Sequence, residues 1–271
     1  MTDFQKIIKY LAMAFAVFLT VSIIGGILSA VGLIGGIFGE DAVDTNVENY
    51  SVSSEINKLE IKINAADLTI KQGEKFSVES NLKNLSVNDG NGVLEIKETK
   101  ILNGNYNGAK LVLYIPSDTV FEKVKINTGA GRLTVDSLSA NTMDFELGAG
   151  EVTIDNLIAS RSVNIEGGAG KITVSGGALC NLDLDMGVGK LKLTSALTGE
   201  CELDLGVGES DITVLGNRDD YRLRVEKGIG SISVDGVNVS NVNEQGKGKN
   251  EIEVNGGVGS VKLSFNATDE K

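Results

Sequence analysis

The stretch Lys125-Ile126-Asn127-Thr128-Gly129-Ala130-Gly131-Arg132-Leu133-Thr134-Val135 decides how the chain is read. Apolar residues alternate with polar ones on either side of a Gly-x-Gly triplet, which is the pattern of strand, tight turn, strand with one oily face. The triplet returns at Gly148-Ala149-Gly150, Gly168-Ala169-Gly170, Gly187-Val188-Gly189, Gly206-Val207-Gly208, Gly228-Ile229-Gly230 and Gly257-Val258-Gly259, at intervals of 19, 20, 19, 19, 22 and 29.

A period of about twenty residues is the mark of a stacked-repeat architecture. Successive coils lie one strand spacing apart, about 4.8 Å, and like positions form columns. The expected inward column is Ile126, Phe145, Ile165, Leu184, Leu203, Val225 and Val254. The fold class is therefore all-β: a single-stranded β-solenoid (β-helix) of about 19–20 residues per coil, preceded by one N-terminal transmembrane helix. The extra residues of the longer units, such as 236–249, are expected as loops off the coil.

The expected organisation is a cytoplasmic stub and transmembrane anchor at 1–39, a polar linker at 40–55, irregular first coils and cap at 56–120, the regular solenoid at 121–266 and a charged tail at 267–271. Within 56–120, Asn64-Ala65-Ala66-Asp67-Leu68-Thr69-Ile70 reads as a degenerate copy of Gly129–Val135. Tyr10 to Gly39 is thirty residues without a charge, more than the roughly 20 that cross a bilayer as a helix. Lys6 and Lys9 precede it and Glu40, Asp41 and Asp44 follow it. The positive-inside rule then puts the N-terminus in the cytoplasm and the rest outside the cell membrane, in a single pass through residues 10–39. A cleaved signal peptide is the competing reading, with Ala30-Val31-Gly32 as its site, but the apolar run is longer than a usual signal core of about 7–15 residues.

Composition narrows the chemistry. The 271 residues include no histidine, so triads built on imidazole and the commonest zinc sites are excluded. A net charge of −12 with no basic, aromatic-laced stripe excludes a nucleic-acid partner. Cys180 and Cys201 have no CxxC spacing and are expected as free thiols. The glycine triplets are not toxin-type Ca²⁺ repeats, because Leu133, Val152, Ile172 and Leu191 stand where those repeats need aspartate.

Outward positions carry the most information. Two residues before each triplet stand Asn127, Glu146, Glu166, Asp185, Asp204, Glu226 and Asn255, an acid in five consecutive units. Two further back stand Lys125, Asp144, Asn164, Asp183, Glu202, Arg224 and Glu253. Like charges facing one another across strands cost a few tenths of a kcal/mol to about 1 each. Glu146, Glu166, Asp183, Asp185, Glu202 and Asp204 are accordingly a candidate face for Ca²⁺ or for a cationic peptide or other cell-surface ligand. The default reading is a solvated face screened by salt that also discourages edge-to-edge aggregation. A second outward column, Thr134, Thr153, Thr173, Lys192, Thr213 and Ser233, reads as plain strand propensity.

The glycine-rich apolar segment, Ile63-Asn64-Ala65-Ala66-Asp67-Leu68-Thr69-Ile70, then Lys110-Leu111-Val112-Leu113-Tyr114-Ile115-Pro116-Ser117-Asp118 leading into the repeated units, resembles the "putative adhesin" family of bacterial membrane-anchored β-strand-repeat proteins. The resemblance implies a surface or envelope-stress-associated protein and carries over no active site. The leading expectation is a non-enzymatic extracytoplasmic interaction, adhesion or envelope-stress-sensing module. The alternatives are a polysaccharide lyase or hydrolase on a β-helix scaffold, with Asp183, Asp185 and Asp204 as acids and Arg224 as the nearest cation, and a structural spacer with no ligand.

Overall fold

The computed structural model describes residues 41–53, 55–99 and 105–266. The expected anchor at 10–39 and the tail at 267–271 lie outside the described residues. Among the described residues no helix is long and apolar enough to cross a membrane.

One sheet of fifteen strands wraps around a single apolar interior. In chain order the strands are β1 (Val43–Ser51), β2 (Lys58–Gly73), β3 (Ser77–Leu82), β4 (Leu85–Gly90), β5 (Val93–Glu98), β6 (Lys110–Pro116), β7 (Phe121–Val174), β8 (Gly177–Cys180), β9 (Leu182–Thr198), β10 (Glu200–Leu215), β11 (Tyr221–Glu226), β12 (Ile229–Val234), β13 (Val237–Val239), β14 (Val242–Gln245) and β15 (Asn250–Asn266). β7 is continuous because its pairing runs around the glycine corners at Gly129, Gly148 and Gly168 without a break. The stack is parallel and in register: Ile61 pairs with Ile126, Ile165 with Leu184, and Leu184 with Leu203. This is the solenoid-like, all-β architecture that the triplet spacing anticipates.

The glycines are dictated by the stacking. A Cβ at Gly150 would run into the carbonyl oxygen of Gly131 in the coil below, and Gly150 has φ +147. The first corner, Asn64-Ala65-Ala66, has no such demand. β5 pairs with β2 over Lys58–Lys62 and β6 over Asp67–Gly73, so no coil lies beneath the corner between them. Instead the buried carboxylate of Glu98 accepts the Asn64 amide at 2.7 Å. Register also confirms the degenerate copy, with Leu68 on Leu133 and Ile70 on Val135.

The order of the coils departs from the order of the chain. Leu203 pairs with Val254, and Val254 with Val225. The last coil, β15, therefore lies between β10 and the β11/β12 coil, and the expected column holds with Val254 and Val225 exchanged. Both ends of the stack finish in antiparallel strands: β4 on β5 and β3 on β6 at one end, β14 on β11 and β13 on β12 at the other. Antiparallel caps with polar edges limit further strand addition.

Two expectations need correction. The linker at 40–55 is largely structured: β1 pairs with β3, and Ala42 is fully buried between Asn105 and Lys83. Residues 236–249 are not loops off the coil, since they contain β13 and β14 and close the end of the stack. The coils that contribute Leu157–Ala159, β8 and Ala196–Thr198 also have a third, short side. β8 pairs with Leu157–Ala159 and with Ala196–Thr198, and it buries Leu157, Leu179 and Leu197. Tyr221 ends that side, donating its hydroxyl to the Leu197 carbonyl at 3.0 Å, and Phe265 packs on its ring at 5.2 Å.

Candidate functional site: the acidic face

Strand alternation before each corner turns Phe145, Ile165, Leu184 and Leu203 inward and leaves their neighbours facing out. In stack order the column nearest the corner runs Lys62, Asn127, Glu146, Glu166, Asp185, Asp204, Asn255, Glu226. The next column runs Glu60, Lys125, Asp144, Asn164, Asp183, Glu202, Glu253, Arg224. The structure thus brings Glu166, Asp183, Asp185, Glu202 and Asp204 together on adjoining coils. Glu226 does not join them, because the inserted coil puts Asn255 between it and Asp204.

The margins of this face are neutralised from within. At one side Lys125 reaches Asp144 at 3.1 Å and Glu146 at 2.7 Å, while Asn127 also donates to Glu146. The hydrogen bonds to Glu146 and then Asp144 hold the Lys125 ammonium well above its usual pKa. At the other side Arg222 meets Glu251 at 3.0 Å, Arg224 meets Glu253 at 3.3 Å, and Asn255 donates to Asp204 at 2.7 Å. Glu200, Glu251 and Arg222 form a third column, two positions further back, which the same spacing would have exposed in the sequence.

The centre has no basic residue in register. Glu202 faces Asp183, and Asp204 faces Asp185. Partial burial, then Asp204, Asp183 and Glu166, push the Asp185 carboxyl upward; partial burial, then Asp204, Glu253 and the two other aspartates, do the same to Glu202.

The face beyond the corner behaves differently. Arg132 lies 3.3 Å from Asp67 and 3.9 Å from Glu151, Lys171 lies 3.1 Å from Glu151, and Lys190 lies 3.2 Å from Glu209. Charge alternates there from Asp67 through Lys171, and Lys190, in register with Lys171, is balanced by Glu209 on its other side. The same backbone thus holds acids paired with cations on one face and segregated acids on the other, so the run of unpaired acids is a property of these side chains and not a demand of the fold.

Residues 56–266 match the Toastrack DUF4097 family. The chain belongs to this family. The Toastrack domain is similar to three crystal structures at low identity. A "putative cell adhesion protein" from Clostridium sporogenes is 18% identical over 82% of this chain and 99% of that one, with a TM-score of 0.37. A "putative adhesin" from Bacteroides fragilis is 15% identical over 80% and 96%, with a TM-score of 0.31. A "putative lipid binding protein" from Parabacteroides distasonis is 14% identical over 84% and 96%, with a TM-score of 0.30. No curated protein matches the sequence significantly.

Among the described residues of the Toastrack domain, no three cysteine or carboxylate side chains converge as metal ligands. A flat sheet projects its acids side by side, whereas Ca²⁺ needs six to eight oxygens around one point. Arg224, the cation expected beside these acids, is held by Glu253 on the far side of the inserted coil, away from Asp183 and Asp185. The serine-threonine column also shifts: Lys192 pairs with Asp211, and Thr213 pairs with Thr194 and Ser264. Both cysteines are free. Cys201 is buried, which raises its thiol pKa, and it donates to the Thr198 carbonyl at 3.5 Å; Cys180 is half-buried.

Proposed function

We propose that this Toastrack domain is a non-enzymatic interaction module, held outside the cell membrane by residues 10–39, that serves adhesion or envelope-stress sensing by docking a cationic partner on its acidic face. The observation that carries this reading is the contrast between the two faces. Asp67, Arg132, Glu151 and Lys171 alternate on one, while Glu166, Asp183, Asp185, Glu202 and Asp204 remain without a cation on the other. A cationic partner relieves repulsion that the fold leaves in place, and its binding weakens with salt.

The test is a titration of the ectodomain with a lysine-rich peptide, and separately with Ca²⁺, at low and physiological salt. Exposed ion pairs contribute about 0.2–1 kcal/mol each, so replacing Glu166 by Gln and Asp185 and Asp204 by Asn together weakens peptide binding by roughly tenfold. Binding that survives the triple substitution unchanged ends this reading. Absence of any binding leaves the spacer as the better description.

A further inference from the structure

At each end of the stack one coil lies between two others, but the chain makes them in opposite order. At the first end the middle coil is β2, which precedes both neighbours, so β5/β6 and β7 dock on strands already laid down. At the last end the middle coil is β15, which follows both. Until β15 is in place, β10 and the β11/β12 coil face each other across a gap one strand wide.

That gap has a defined specificity. Its walls are Leu203, Leu205 and Ile212 on one side and Leu223, Val225 and Ile232 on the other, all buried with β15 in position. At the corner, Gly257 and Gly259 fit because a Cβ on either would meet the carbonyls of Gly206 or Gly208. Asn250 sets the register at the point of entry. It is 8% exposed, its Oδ1 accepts the Gly199 amide at 3.0 Å, and its Nδ2 donates to the Asp220 carbonyl at 3.4 Å, one bond to each wall. The strand that meets these conditions is reached through residues 235–249, mostly exposed and with left-handed glycines at Gly236 and Gly246.

We propose that the gap is a strand-acceptor site whose occupant is residues 250–266 of either the same chain or a second copy, so that two chains can exchange their C-terminal coils. Withdrawal of this terminal coil leaves every ladder from β2 to β10 in place and frees only β11 to β14, which reach the stack through β15, and exchange of identical elements through a hinge is a low-cost route to a dimer. The inference is independent of what the acidic face binds.

Thr213 and Ser264 pair across β10 and β15 with their hydroxyls 3.3 Å apart. The full chain carrying Thr213→Cys and Ser264→Cys, with Cys180→Ser and Cys201→Ala, is refolded in detergent over a range of concentrations and oxidised. A disulfide within one chain reports the coil in its own gap, and a disulfide between chains reports exchange. With an effective concentration in the millimolar range for the tethered strand, the inter-chain share rises in proportion to protein and reaches roughly a tenth near 100 µM. Glu209→Cys with Ser260→Cys, another register pair, gives the same reading should the first pair fail to fold or cross-link. Intra-chain disulfide alone across the whole concentration range overturns the proposal.

Discussion

Glu98 caps the first corner: its buried carboxylate accepts the Asn64 amide at 2.7 Å, at a position where β5 and β6 leave no coil beneath. A buried amide left without an acceptor costs about 1–3 kcal/mol. Glu98→Ala is expected to lose that much stability in a urea titration. Glu98→Gln, which keeps a carbonyl oxygen in place, is expected to lose less.

Glycine replacements separate stacking from mere sequence preference. Gly150→Ala forces a Cβ into the Gly131 carbonyl at a positive φ, whereas Gly90 has nothing within 4 Å of a built Cβ. The first substitution is expected to destabilise by more than about 3 kcal/mol and the second to stay within about 0.5. Thermal unfolding of both variants beside the parent checks the pair.

The acidic centre predicts the sign of a pH effect. Asp185 and Glu202 have folded pKa values raised above the unfolded ones, so the fold binds their protons more tightly. Their contribution is fully present below the unfolded pKa of about 4 and is lost as pH rises through the raised folded values. Asp185→Asn with Glu202→Gln is expected to raise Tm at pH 7, and the advantage over the parent should shrink as pH falls toward 4. An advantage that does not change with pH would contradict this account.

Thiol labelling tests the corner beside β8. Cys180 is half-buried and Cys201 only 2% exposed, and reactivity follows thiolate character and access. One equivalent of maleimide is expected to react in the native protein, and the second only in denaturant. Mass spectrometry of peptides identifies which residue carries the label.

Much of this was legible in the sequence because the coils repeat. Phe145, Ile165, Leu184 and Leu203 share one inward column because nineteen or twenty residues return the chain to the same place. Where a residue type misleads, the reading slips. Ser210 is polar but buried at 7% in the column of Leu191 and Val261; counting from apolar Ile212 instead moved Thr213 two places. The inserted coil is invisible to periodicity, since Val225 and Val254 satisfy the pattern equally and only pairing decides which lies next to Leu203. The third side was missed for lack of length: Leu157-Ile158-Ala159 is too short to show alternation. The strands β13 and β14 were missed because their only partners are other strands at the end of the stack. At the acidic face the residues were readable. The Arg222 and Arg224 contacts that bound it were not, because they depend on the order of coils.

The corners at Gly148, Gly168, Gly187 and Gly206 make the same demand of the layer below and present the same carbonyls to the layer above. A unit of nineteen or twenty residues could be duplicated or deleted among them without altering either terminus. Each such event would lengthen or shorten the rod by about 4.8 Å. Reach is therefore the trait that this architecture lets evolution adjust in even steps, like marks on a ruler, while what sits at the tip stays the same.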